Sequence, residues 1–169
     1  MSKTAPAVRR HSEAASGAAH QTKEITMKVL VMIKGDGADE DKVAPTEAMF
    51  EEMNAYNEQL VNAGIMLAGE GLQSSSKGAK VVWDTSGEVS VVDGPFTEAK
   101  EIVAGYWIWQ VSSLDEAVEW AKRCPSTPEL RSVLEIRPYF EMEDFAKVVS
   151  PDVLEKEQAL MDRIKEQHG

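Results

Sequence analysis

The chain has 169 residues, 43% hydrophobic and 28% charged, with a formal net charge of −11. That length supports one core of ordinary size but hardly two, and the composition excludes a disordered acidic polymer or a low-complexity chain. No apolar run is long enough to span a bilayer, and the acidic balance argues against a protein that tracks nucleic-acid phosphates. The single cysteine, Cys124, rules out an intramolecular disulfide and points to a reducing, cytoplasmic compartment.

The histidines are His11, His20 and His168, all near the chain ends. The body of the chain therefore has no imidazole for a nucleophile–base pair, a histidine zinc site or a proximal haem ligand. Its chemistry must run on carboxylates, lysines, tyrosines or hydroxyls. No cofactor and no metal are expected, although carboxylate-bound magnesium or calcium stays open; no EF-hand spacing occurs.

Residues 1–26 read as a disordered tail, rich in Ala, Ser, Thr and Lys, with only Val8 and Ile25 as large aliphatics. They lack the apolar stretch of a secretory signal. A domain is expected over residues 27–140. It opens with a strand, Met27 to Ile33, broken by Lys34-Gly-Asp-Gly. From Pro45 the pattern is helical: Met49, Met53, Tyr56 and Leu60 recur every three or four residues, Phe50 and Val61 widen the stripe, and Gly64 suits a left-handed end. Ile65 to Leu72 reads as a short strand and Gln73 to Gly78 as a flexible link. Lys80 to Asp84 and Glu88 to Val92 flank Thr85-Ser-Gly87 as a hairpin. A longer strand runs from Ile102 to Val111. Ser113 and Glu116 then match a capping box for a helix ending before Cys124-Pro125, and Ser132 to Arg137 makes the last strand.

Strand, helix, strands, helix, strand is the split βαβ, ferredoxin-like pattern, so an α+β fold is expected. Residues 141–169 form an acidic helical extension, with Val153, Leu160, Met161 and Ile164 as a narrow stripe expected to dock on its own domain. In the Ile102–Val111 strand both alternate sets are apolar or aromatic: Ala104, Tyr106, Ile108 and Val103, Trp107, Trp109, Val111. Two helices cover one sheet face in this topology. A second sheet is the simplest cover for the other, which predicts a homodimer.

The densest chemistry lies in Asp93-Gly-Pro-Phe-Thr-Glu-Ala-Lys-Glu101, followed by Gly105-Tyr-Trp. A carboxylate at a strand end beside tryptophans suits a partly desolvated acid/base; an Asp before Gly-Pro equally suits a turn that caps free amides. This stretch is similar to the signature of YCII-related proteins of the DGPF branch. The likeness extends to Ala63-Gly-Ile-Met-Leu67, Glu70-Gly-Leu72, Asp115-Glu-Ala-Val-Glu-Trp-Ala121 and Glu135-Ile-Arg-Pro138. The resemblance implies a ferredoxin-like subunit paired as a dimeric α+β barrel. It implies little about function beyond a sigma-factor-linked genomic context and a proposed His–Asp dyad. Asp93 matches the aspartate of that dyad, and the body has no histidine to match its partner.

Asp93 is the candidate catalytic residue. Glu70, Glu98, Tyr106, Trp107, Glu135 and Arg137 are the candidate ligand-binding residues. Glu135 and Arg137 alternate with Leu134 and Ile136, so they share one strand face, where an arginine can hold an anion or pair with its neighbour. Trp107 suits either the core or a cleft wall. Two functions compete. One is a dimeric binding or regulatory module for a small, anionic molecule; the other is a lyase or isomerase using Asp93 as general acid or base. The expected partners are a second copy and a small molecule, with no nucleic acid and no membrane.

Overall fold

The computed structural model describes residues 26–35, 46–96, 102–126 and 132–168. Residues 1–25 of the proposed tail and Glu98 lie outside the described residues, as does Pro45. The elements are β1 (Met27–Gly35), α1 (Glu47–Asn62), β2 (Met66–Gly71), β3 (Ala79–Trp83), β4 (Val89–Asp93), β5 (Val103–Val111), α2 (Leu114–Ala121), β6 (Ser132–Pro138), α3 (Met142–Phe145) and α4 (Pro151–His168). Four strands form one antiparallel sheet in the order β2-β5-β1-β6. Each helix-linked pair of strands, β1 with β2 and β5 with β6, is thus separated by a single strand, which is the ferredoxin-like arrangement and an α+β fold.

Local chemistry explains the helix ends. Thr46 is the N-cap of α1, its hydroxyl accepting from the Met49 amide at 3.3 Å. Gly64 follows the helix at φ +71, a left-handed geometry that glycine adopts without a Cβ clash. Ser113 caps α2 by accepting from the Glu116 amide at 3.1 Å. The Glu116 carboxylate reaches one residue further back than a capping box requires, to the amide and hydroxyl of Ser112, both at 2.6 Å.

The core lies on one face of the sheet. Val29, Val31, Trp107, Trp109 and Val111 meet Tyr56 and Leu60 of α1 and Ala117 of α2, all buried. The Trp107 indole donates to Asn57 Oδ1 at 3.0 Å, and Tyr56 packs edge-on against its ring at 6.0 Å. Tyr56 also ties the helices together, its hydroxyl donating to the Trp120 carbonyl at 2.9 Å. Gly69 is dictated by this packing. A Cβ there would lie 2.5 Å from the Trp107 ring. Phe50 and Val61, expected to widen the α1 stripe, instead stay exposed, because the sheet is met only by the narrower Met53-Tyr56-Leu60 line.

Three further expectations change. The stretch after β2 is not a plain flexible link: Ser75–Lys77 form a 3-10 turn, Ser74 accepts from the Ser76 amide, and Ser75 is buried. The β3–β4 hairpin does not join the main sheet but stands as a separate two-stranded sheet, exposed at every residue. No residue of α4 is buried, so its Val153, Leu160, Met161 and Ile164 stripe remains exposed rather than docked on its own domain.

Candidate functional site

Strand register decides which candidate residues meet. Trp107 points to the helices, so its neighbour Tyr106 lies on the opposite, helix-free face. Residues paired across antiparallel strands share a face. Tyr106 pairs with Glu70 on β2 and Met32 on β1, and Met32 pairs with Glu135 on β6. One row therefore reads Glu70, Tyr106, Met32, Glu135. The next row reads Ala68, Ile108, Leu30, Arg137. Four candidates from three strands thus share one surface around the half-buried Leu30, Met32 and Ile108. The irregularity between Met66 and Ala68 makes this possible, because it restores the parity that puts Glu70 beside Tyr106.

Lys34 belongs to the same face and was not among the sequence candidates. Its ammonium donates to Glu135 Oε2 at 2.8 Å. That hydrogen bond and the Lys34 charge, with a smaller contribution from Arg137, hold the Glu135 carboxyl below its ordinary 4.5. The alternation of β1 carries the signal, since Lys34 has the parity of Leu30 and Met32. Arg137 and Glu70 are exposed, and neither side chain has a hydrogen-bond partner among the described residues.

Trp107 leaves the candidate surface. At 4% exposure it is a core residue, because helices cover the β5 face that it occupies. Asp93 is also apart from the other candidates. It ends β4, pairs with Ala79 in the separate hairpin, and is exposed. Residues 97–101, the rest of the motif that its carboxylate is expected to cap or act with, lie outside the described residues. The turn is stitched by other groups: the Gly94 amide donates to the Gly78 carbonyl at 3.0 Å, and the Phe96 amide to Ser75 Oγ at 3.1 Å. Glycine at 94 is obligatory here. A Cβ would fall 1.8 Å from the Ser75 carbonyl oxygen.

Cys124 is half-buried, and burial pushes its thiol from 9.0 up to about 11. That makes it a poor nucleophile at neutral pH. Among the described residues no cluster of His, Cys, Asp and Glu is placed to hold a metal ion. No described helix is long and apolar enough to cross a membrane.

The fold and the register agree with what comparison finds. Residues 27–143 match the YCII-related domain. An uncharacterised protein of Rhizobium meliloti (strain 1021) is 29% identical over 92 residues, covering 54% of this chain and 73% of that protein. With the domain matched over most of its length, the chain belongs to the YCII-related family.

Proposed function

We propose that this protein is a homodimeric binding module of the DGPF branch, in which a second copy covers the helix-free sheet face and a small anionic molecule is held between the two sheets. The observation that carries this reading is the composition of that face. It combines an apolar centre of Leu30, Met32 and Ile108 with Tyr106, Glu135, Arg137 and Lys34 at its margin. Apolar surface with a few convergent polar groups is what small-molecule sites are made of. Arg137, exposed and capable of bidentate docking, supplies the preference for an anion. A non-catalytic role fits the position of Asp93, which belongs to the separate hairpin sheet and not to the shared face. A free, unreactive Cys124 suits a cytoplasmic protein.

The test is a thermal-shift screen of the full chain against a panel of mono- and dicarboxylates and phosphate monoesters. A ligand at about 100 times its Kd stabilises by ~2.7 kcal/mol, a rise in Tm of several degrees. The reading expects at least one such anion to shift Tm in the wild type and not in Arg137→Gln. A panel without effect, or a shift that survives Arg137→Gln undiminished, contradicts it.

A further inference from the structure

Two elements outside the four-stranded sheet each carry an uncovered apolar face. The first is the β3–β4 hairpin. Its register pairs Val81 with Val91 and Trp83 with Val89, so these four side chains share one face. All four are exposed, Trp83 at 68% and Val91 at 66%, a contiguous patch of the kind that marks an interaction surface. Acids stand at both ends of it. Asp93 pairs with Ala79 on the same face, and Asp84 and Glu88 bound the tip. The cation of the hairpin, Lys80, alternates to the other face and lies over the Phe96 ring at 4.5 Å.

The second element is α4. Helical spacing puts Val153, Leu160 and Ile164 on one line and Leu154 and Met161 on the next, with Glu157 between the two. Lys156 and Arg163 flank the first line, and Lys165, 3.8 Å from Asp162, flanks the second. Asp152, Glu155, Asp162 and Glu166 gather on the opposite side. The helix is thus apolar along one stripe, cationic at the margins of that stripe and acidic behind. It lies beyond residue 143, where the match to the family domain ends, and so is an addition to the family fold.

Charge decides what each face takes. Two α4 helices laid stripe to stripe bring cationic margins together and set two Glu157 carboxylates inside the contact. Two hairpins bring acid to acid. Helix on hairpin sets Lys156 and Arg163 against Asp84, Glu88 and Asp93 around an apolar centre. The lengths match as well: the stripe from Val153 to Ile164 rises about 16 Å, and each hairpin strand spans about 14 Å. One chain does not bring the two together. Every hairpin residue is exposed and no α4 residue is buried. The hairpin leaves the sheet at the β2 edge, beyond the Gly71–Gly105 pair; α4 follows β6 on the other edge, whose Pro138 pairs with Val29 at the opposite end. Those corners are about 20 Å apart. The link to α4 is drawn in by α3 and by the Phe140–Phe145 ring contact at 5.0 Å.

We infer that the apolar stripe of α4 docks on the hairpin of a second copy, against the face formed by Val81, Trp83, Val89 and Val91. Each chain carries one of each, so a two-fold axis makes the contact reciprocal. It uses no residue of the open sheet face and stands apart from the dimer proposed above. One helix on one hairpin is smaller than a standard interface, so the exchange is weak and is read by trapping rather than by mass.

The experiment mixes full-length chains, all in a Cys124→Ala background, that carry one new thiol each. The thiol is Val91→Cys on the hairpin, Leu160→Cys on the stripe of α4, or Glu155→Cys on its acidic back. All three positions are exposed, so the fold is kept, checked by circular dichroism. Under mild oxidation, Val91→Cys with Leu160→Cys should give a mixed disulfide of two chains in far higher yield than Val91→Cys with Glu155→Cys. A disulfide closes only when the two Cα atoms come within about 7 Å. Adding Lys156→Glu and Arg163→Glu to the Leu160→Cys chain should cut that yield several-fold, and salt should lower it in the parent pair. A yield that ignores which side of α4 carries the thiol, or ignores the charge reversals, overturns the contact. A chain holding both Val91→Cys and Leu160→Cys that closes on itself as a monomer puts the helix on its own hairpin and overturns the second copy.

Discussion

Strand β5 presents two faces that look alike in sequence and differ completely in the fold. Trp107, Trp109 and Val111 are buried in the core with the helices; Tyr106, Ile108 and Gln110 alternate with them onto the opposite face. The buried face holds the chain together through shape. Its indoles and aliphatic side chains interlock with Tyr56 and Leu60, and Gly69 exists to admit the Trp107 ring. The other face is apolar at its centre and charged at its margin, the anatomy of an interface. One face makes the monomer. The other is the face proposed above to bind a second copy.

The largest test of that difference is a matched pair of truncations. Trp109→Ala should cost about 3–5 kcal/mol in denaturant unfolding, through lost burial and the cavity left behind. Ile108→Ala, next to it but on the other face, should cost about 1 kcal/mol in dilute protein and act mainly on dimer dissociation. Equal costs for the two would break the comparison.

A smaller effect separates the sheet from the hairpin. Gly94→Ala must push the Asp93–Phe96 turn away from the Ser75 carbonyl, at about 1–3 kcal/mol, the range for overpacked sites. Hydrogen exchange should quicken over residues 75–96 and leave β1 and β5 protected. Loss of protection in β1 would show that the hairpin anchors the core.

The helix side should also reveal itself in pH. The thiol of Cys124 is raised, so its neutral form favours the folded chain. That contribution is whole below 9.0 and is lost as pH rises towards about 11. Tyr56 is likewise raised, first by desolvation, and works in the same direction. Alkaline titration of the wild type against Cys124→Ala, followed by Tm, should show a shallower decline in the variant. Identical slopes would remove the thiol from the account.

The mildest effect belongs to the open face. The Glu135 carboxyl is lowered by Lys34, so its contribution is present above 4.5 and fades as pH falls through its depressed value. Lys34→Met should flatten that acid limb slightly, as befits a pair still partly open to solvent. An acid limb unchanged by Lys34→Met would mean that the pair does nothing for the fold.

Much of this was legible in the sequence, for identifiable reasons. The α1 line of Met53, Tyr56 and Leu60, the Ser113 cap and the Asp84–Glu88 turn are local patterns, and each forms where its residues predict. Glu135 and Arg137 sharing a face follows from period two alone. Their meeting with Glu70 and Tyr106 does not, because it depends on strand order and on the irregularity near Leu67. The β5 alternation showed that both faces were apolar and could not say which one the helices take, so Trp107 stood among the binding candidates and proved to be core. Ser75 and Gly94 were hidden for a related reason: their contact joins two segments 19 residues apart.

The central claim is that the helix-free face is covered by a second copy. Sedimentation equilibrium of the full chain across the micromolar range tests it most directly. The account predicts twice the chain mass of 18.6 kDa, shifting towards the monomer in Ile108→Asp, which puts a charge at the centre of that face while the monomer stays folded. A wild-type mass of 18.6 kDa throughout would contradict it.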